Sequence, residues 1–243
     1  MTRFAIYIAP NPDSLWSVQA NRWLGRDAVN GHNLPQIKIP NIAPERLRQL
    51  TQDAAYYGFH ATLKAPFVLS DNVSENDLSQ MAKIFAAEQA VIQVPDLHVV
   101  QMADFLALCP TQINHEINAL AMRCVRYFDP LRAPPDAAYL AKRRRAGLSE
   151  RQEVLLQRWG YPYTEEEFRF HITLSSSLKN CDQSTIWQMQ QAAANHFFGV
   201  LENVPLIADA LYIFKQETPN QPFLCWRRFP FQQTEVVNEV VQT

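Results

Sequence analysis

The chain has 243 residues, with 24 acidic residues against 22 Lys plus Arg, a formal net charge of −2. That balance argues against a general nucleic-acid coat or a membrane-surface protein, both of which carry basic excess. Apolar residues make up 47% and charged residues 19%, a globular composition able to build a sizeable core. Glycine is scarce, at 6 residues, and neither G-x-G-x-x-G nor G-x-x-x-x-G-K-[ST] occurs, which excludes the Gly-rich phosphate loops.

The elements follow in chain order. Phe4 to Ala9 is an apolar run ended by Pro10 and reads as a buried strand. It is too short for a signal peptide or a membrane span. Leu15, Trp16, Val18, Trp23 and Leu24 mark a helix capped by Asp13 or Ser14. Residues 30 to 44 hold three prolines and read as loop, and a short helix from Pro44 to Leu50 follows. Gly58 to Ala65 reads as a strand stopped by Pro66. Ser74 and Asp77 form a capping box for a helix striped by Leu78, Met81, Ile84 and Phe85. Strands are predicted near Val91–Val100 and Phe105–Cys109. A strongly periodic helix then runs from Ile113 to Phe128. Asp136 to Gly160 reads as helical and basic, and Phe168 to Leu174 as a strand. A helix from Ile186 to Phe197 and strands at Val204–Phe214 and Phe223–Phe231 complete the pattern. The last dozen residues are expected to be mobile. The order suggests a duplicated α+β unit with antiparallel strands.

The four cysteines, Cys109, Cys124, Cys181 and Cys225, form no C-x-x-C pair and match no zinc or disulfide frame. A reducing cytoplasm is the default expectation.

The duplication is visible in the residues. Phe59-His60-Ala61-Thr62-Leu63 in one candidate strand matches Phe170-His171-Ile172-Thr173-Leu174 in another. A period of two puts His60 with Thr62, and His171 with Thr173, on one face, against apolar residues on the other. Lys64 continues the first polar face, and Arg169 and Ser175 extend the second. Imidazoles exchange protons near neutral pH, while hydroxyls and cations hold non-bridging phosphate oxygens. Two imidazoles, two hydroxyls and one or two cations in a cleft suit a phosphate ester. A lone His among apolar residues is usually structural; two copies at corresponding places favour a catalytic pair. Tyr7 on the first strand, Tyr57 before the first motif and Tyr163 before the second are candidate walls of the site, although each could equally be core. The run Lys142-Arg143-Arg144-Arg145 lies between the repeats. It reads as a solvated basic face or as a lid supplying a second phosphate contact, with Arg144 the candidate.

The two H-x-T-L copies resemble the 2H phosphoesterase superfamily, defined by a pair of His-x-Ser/Thr-apolar motifs. RFAIYIAP, YYGFHATLKAPF, FLALCP, the Arg132-Ala133-Pro134 turn and RWGYPYTEEEFRFHITL resemble more closely its branch of phosphonate-metabolism proteins. The resemblance spans most of residues 3 to 178. It departs at Tyr56, where an arginine is expected. It implies a single bilobal α+β domain over 1–243, with a helical basic insertion near 132–163 and an antiparallel sheet in each lobe around a central cleft. It further implies metal-independent hydrolysis of a small cyclic phosphate ester, without cofactor. His60 and His171 would be the acid–base pair, and Thr62 and Thr173 would bond the phosphate. Lys64, Arg169, Tyr7, Tyr57, Tyr163 and Arg144 are the substrate-contact candidates. Which histidine is the base is not decided by the residues; His171 is the provisional choice, without physical warrant. The expected protein is a monomer acting on a small phosphorylated substrate, with no membrane partner. An RNA-end cyclic phosphodiesterase or 2′,5′-ligase is less favoured, because RNA affinity leans on basic charge. A non-catalytic phosphate or phosphonate binder needs no matched acid and base.

Overall fold

A computed structural model describes residues 1–145 and 147–232. The expected mobile tail lies outside the described residues, apart from its first position, Gln232.

The described residues form nine strands: β1 (Arg3–Ile8), β2 (Ala61–Phe67), β3 (Ile92–Val94), β4 (Leu97–Met102), β5 (Phe105–Pro110), β6 (Ile172–Thr173), β7 (Leu206–Ala208), β8 (Ala210–Gln216) and β9 (Leu224–Pro230). Seven make one sheet in the order β4-β5-β6-β2-β1-β8-β9, and β3 pairs with β7 apart from it. Every pairing between strands is antiparallel. The fold is α+β. The sheet consists of two runs of strands, β4-β5-β6 and β2-β1-β8-β9, which meet at one residue pair, Ala61 opposite Ile172.

Among the described residues, seven α-helices accompany the strands: α1 (Leu15–Leu24), α2 (Pro44–Tyr57), α3 (Glu75–Ala87), α4 (His115–Phe128), α5 (Ala137–Arg144), α6 (Glu150–Trp159) and α7 (Gln183–Asn203). Local chemistry starts most of them. Ser14, Asn114, Asp136 and Asp182 each accept a hydrogen bond from a backbone N–H of the first turn. Ser74 with Asp77, and Ser149 with Gln152, form full capping boxes.

The duplication is intertwined. β2 is followed by α3 and the hairpin β4–β5, which pairs with β6 of the other half. β6 is followed by α7 and the hairpin β8–β9, which pairs with β1 beside β2. Accordingly α3 packs on β8 and β9, while α7 packs on β4. Phe4, Ile6, Ile8, Ala61, Leu63, Leu106, Leu108 and Ile172 join the main core under the helices. The other face of β1 carries Ala5 and Tyr7, buried with Tyr212, Phe214 and Phe223. Burial on both faces explains why β1 reads as an unbroken apolar run.

Several boundaries differ from expectation. The helix from Pro44 continues to Tyr57. Pro66 lies inside β2 instead of stopping it: the β1 pairing shifts register there, and β6 pairs with β2 only at Ala61, so no partner needs the missing N–H. The predicted strand Val91–Val100 divides at Asp96, whose φ is +54°, and its two parts enter different sheets. The basic helical stretch breaks at Gly147 (φ +74°), and Ser149 caps a new helix. The second motif strand shrinks to Ile172–Thr173, with a 3₁₀ turn at Glu165–Glu167 and four irregular residues ahead of it.

Candidate active site

Each motif histidine immediately precedes its strand instead of lying within it. Both are fixed in the same way. His60 Nδ1 is 2.8 Å from the Gly58 carbonyl oxygen, and His171 Nδ1 is 2.8 Å from that of Arg169. A carbonyl can only accept, so each Nδ1 carries the proton and donates it. Nε2 is left as the nitrogen able to take or give a proton. Gly58 holds its carbonyl there with φ +81° and ψ 173°, a conformation essentially restricted to glycine. A Cβ at Gly58 would lie 2.7 Å from the Ala28 Cβ. The second copy reaches the same bond without a positive φ at Arg169.

The pairing of Ala61 with Ile172 fixes the rest. Continuing that antiparallel register sets His60 opposite Thr173 and Thr62 opposite His171. Ala61 and Ile172 point into the core, so the four motif residues share the other face. Diagonal positions of such a pair lie about 7–8 Å apart, which leaves room for one phosphorus centre between the imidazoles.

The histidines differ in surroundings. The His60 ring stacks on Tyr7 with 3.6 Å between centroids and 21° between planes, and lies 6.4 Å from the Tyr57 ring and 6.3 Å from that of Phe214. Burial pushes its imidazole down to about 4; the Gly58 bond opposes this and the nearby His171 adds to it. His171 lies 5.9 Å from the Phe105 ring. Burial lowers its value too, and the Arg169 carbonyl opposes the shift.

A cleft of about 790 Å³ opens beside this face and reaches Thr62 and His171, while His60, Thr173, Tyr7 and Tyr57 are not among its lining residues. Among the candidates, Thr62, Lys64, Tyr163, Arg169 and His171 line it. Lys64 Nζ is committed, donating to Asp129 Oδ1 at 3.1 Å and to the Val125 carbonyl at 3.3 Å. The Arg169 guanidinium donates to the Glu166 and Phe168 carbonyls. Tyr7 is the platform under His60, and Tyr57 stacks on Phe223, 5.3 Å between centroids. Ser175 leaves the predicted polar face: its hydroxyl accepts from the Leu106 N–H and donates to the Ser176 carbonyl.

Arg144 requires correction as a substrate contact. It is exposed on α5 and held by Glu153 at 2.6 Å. Arg143, one residue earlier, faces the tyrosines instead, with its guanidinium 4.9 Å from the Tyr161 ring centroid. Tyr161, Trp159 and Arg132 also line the cleft; the sequence offers Tyr161 as an alternative wall beside Tyr163 and points to no role for the other two. Tyr161 and Trp159 line the cleft, and burial pushes the Tyr161 phenol up to about 12. Arg132 lines it as well and shares Asp129 with Lys64. The signal was present in RWGYPY. Gly160 (φ +71°) lets the Arg132 guanidinium approach within 3.1 Å of where a Cβ would stand. The acidic stretch before the second motif is neutralised by the insertion, with Arg151 pairing Glu165 and Glu166.

Among the described residues, no group of three His, Cys, Asp or Glu side chains is placed to hold a metal ion. No described helix is long and apolar enough to cross a membrane.

Comparison with known proteins adds the following. The chain is 49% identical over 231 residues to a Janthinobacterium sp. (strain Marseille) protein named ribose 1,5-bisphosphate phosphokinase PhnN; the match covers 95% of this chain and 51% of that one. A Laribacter hongkongensis (strain HLHK9) protein of the same name is 35% identical over 211 residues, covering 87% of this chain and 48% of that one. The chain thus spans about half the length of these curated relatives. Among solved structures, E. coli LigT complexed with NADP+ matches at a TM-score of 0.40 and 12% identity, covering 96% of this chain and 98% of that chain. LigT complexed with 3′-AMP matches at 0.37, also at 12% identity, covering 96% and 99%. Residues 62–224 match the family described as Protein of unknown function (DUF1045), which begins within the first motif and contains all of the second. This chain belongs to that family.

Proposed function

We propose that this chain is a metal-independent phosphodiesterase of the 2H phosphoesterase type, opening a small cyclic phosphate ester by two-histidine acid–base catalysis. The observation that carries the reading is the pair of imidazoles at diagonal corners of one strand pair. Each is pinned through Nδ1, and a threonine occupies each remaining corner.

The reaction divides between the residues as follows. His60 is the base, in place of the provisional His171, because its value near 4 keeps Nε2 unprotonated at neutral pH. It removes a proton from water as the oxygen attacks phosphorus. The P–O bond to the sugar oxygen breaks in line, and the electron pair leaves with that oxygen. His171 supplies the proton to it from Nε2. His171 carries that proton because the bound phosphate anion favours imidazolium, offsetting its lowering by burial. Thr62 and Thr173 donate to the non-bridging oxygens. The product is a monoester with a free hydroxyl, and the two imidazoles exchange protons with solvent to reset. Each proton transfer contributes about 10²–10⁴-fold.

The substrate class follows from the company this sequence keeps. Its curated relatives are nearly twice its length and are named for a ribose 1,5-bisphosphate phosphokinase. This chain lacks the G-x-x-x-x-G-K-[ST] loop, which favours placing that phosphokinase in their other half. A ribose cyclic phosphate, in phosphonate metabolism, is then the substrate best matched to this half.

The test is hydrolysis, in EDTA, of ribose cyclic phosphates, 2′,3′-cyclic mononucleotides and a cyclic-ended RNA oligomer. Wild type is run beside His60→Ala and His171→Ala. Turnover of a ribose cyclic phosphate, lost by two or more orders of magnitude in both variants, is the expected result. Activity abolished by EDTA and restored by zinc or manganese, or an unaffected His60→Ala enzyme, overturns the mechanism. Preference for the RNA oligomer overturns the substrate class.

A further inference from the structure

Among the described residues, three Lys or Arg side chains line the cleft: Lys64, Arg132 and Arg169. The first two are compensated, since they share the Asp129 carboxylate. Arg169 is exposed, and no ion pair among the described residues includes it. The carboxylates that line the cleft with it are bonded elsewhere. Glu165 pairs with Arg151, Glu167 accepts from the Gln152 amide, and Asp104 accepts from the Ser177 hydroxyl.

The Arg169 guanidinium is held in place all the same. Nη1 donates to the Glu166 carbonyl at 2.6 Å and to the Phe168 carbonyl at 2.8 Å. Both bonds use that one nitrogen. Nε and Nη2, the side edge of the guanidinium, have no partner among the described residues. Elsewhere in this protein the same edge takes a carboxylate: Arg144 meets Glu153 through Nε and Nη2, and Arg151 meets Glu166 through the same pair. Two parallel N–H groups on a planar cation receive a carboxylate or a phosphate as a fork. A fork fixed before the anion arrives loses less freedom when it binds. Arg169 stands two residues before His171, so their Cα atoms are no more than about 7 Å apart. Its backbone carbonyl is the one that accepts from His171 Nδ1. Both side chains line the cleft, together with Thr62.

We infer that the free edge of Arg169 binds a second anionic group of the substrate, a phosphate monoester carried by the sugar away from the reacting phosphorus. The reacting phosphate is served by the imidazoles and threonines of the strand pair. The body of the substrate extends from Thr62 and His171 into the cleft, where Arg169 is the cation with no carboxylate of its own. A cleft of about 790 Å³ is of the size that holds a small phosphorylated sugar. The inference rests on the phosphodiesterase reading and deepens it: the substrate is a sugar cyclic phosphate that already bears a phosphate. Water opens the cyclic diester, the P–O bond to one sugar oxygen breaks, and that oxygen takes the proton. The second phosphate is unchanged, so the product carries two monoester groups.

The test uses the whole protein, ribose cyclic phosphates with and without a 5-phosphate, and the variants Arg169→Gln, Arg169→Lys and Arg144→Gln. Wild type should favour the 5-phosphorylated compound in kcat/KM. Arg169→Gln should shrink that preference about tenfold or more, the size of a lost charge-assisted hydrogen bond, with the change in KM. Arg169→Lys keeps the charge but loses the fork and should fall between. Arg144→Gln removes the same charge from the surface and should keep the wild-type preference. Equal losses on the two compounds mean that Arg169 acts only by holding His171, and they overturn the inference. An unchanged preference in both Arg169 variants overturns it too. A second arm stands apart from catalysis: calorimetric titration with ribose 1,5-bisphosphate and with ribose 1-phosphate. If wild type turns over neither cyclic compound, the phosphodiesterase reading fails on its own, and the titration decides for Arg169. Tighter binding of the bisphosphate by wild type, lost in Arg169→Gln, supports the second-phosphate site. Equal affinities for the two sugars, or no binding of either, overturn it. Thermal melting shows which variants remain folded, and Arg169→Lys carries the test if Arg169→Gln does not.

Discussion

Replacing His60 with Gln tests whether burial sets the titration of the first imidazole. Gln cannot titrate, yet its amide can still donate to the Gly58 carbonyl that holds His60 Nδ1. In the unfolded chain the imidazole titrates near its ordinary value of about 6.5. In the fold it is pushed down to about 4, with burial the largest cause. The unfolded state therefore binds a proton that the folded state refuses, and stability is lost as pH falls below the unfolded value. The full difference is worth about 3 kcal/mol, and about 2.5 kcal/mol is expressed by pH 4.5. The assay is urea unfolding of wild type and His60→Gln at pH 7.5 and pH 4.5. Subtracting the two pH dependences cancels the other titrating groups. Wild type should lose about 2.5 kcal/mol more than the variant over that interval. A difference below about 0.5 kcal/mol refutes the argument, and with it the reason for assigning His60 as the base.

The same two histidines set a pH profile. The base acts above its value near 4, and the acid acts below a value itself lowered from the ordinary one. In kcat/KM, which reports the free enzyme, the optimum should therefore lie below pH 6.5; an optimum above pH 7.5 contradicts the assignment. Gly58→Ala should cost about 1–3 kcal/mol, because its φ of +81° and the 2.7 Å approach to Ala28 both oppose a side chain. It should also lower kcat by releasing the carbonyl that orients His60, which denaturant unfolding and initial-rate kinetics measure together. Asp129→Asn leaves Lys64 and Arg132 without their shared carboxylate. A loss of about 3 kcal/mol is expected in urea unfolding, and a loss under 1 kcal/mol shows that water compensates them.

Local chemistry is legible along much of the chain. The Ser74–Asp77 capping box starts α3 as read, and the apolar period from Ile117 to Phe128 forms the buried face of α4. The repeated Phe-His-x-Thr-Leu segments place apolar residues into the core and polar ones on the opposite face. These features depend on neighbours within four residues, where capping, period and backbone alternation operate. Pro66 departs from the strand-ending rule because a proline is tolerated wherever no partner asks for its N–H, and partners are set by topology.

The residue types of the candidate site are legible along the chain: two imidazoles, two threonines and a basic insertion. How they meet is set by contacts between distant parts of the chain. The direct pairing of Ala61 with Ile172 joins residues 111 positions apart, and no local pattern encodes it. That one register sets the imidazoles diagonally across the phosphate position. The choice between Arg143 and Arg144 is equally tertiary. Adjacent helical residues differ in direction by about 100°, so docking α5 against Tyr161 turned Arg143 toward the tyrosines and left its neighbour to Glu153.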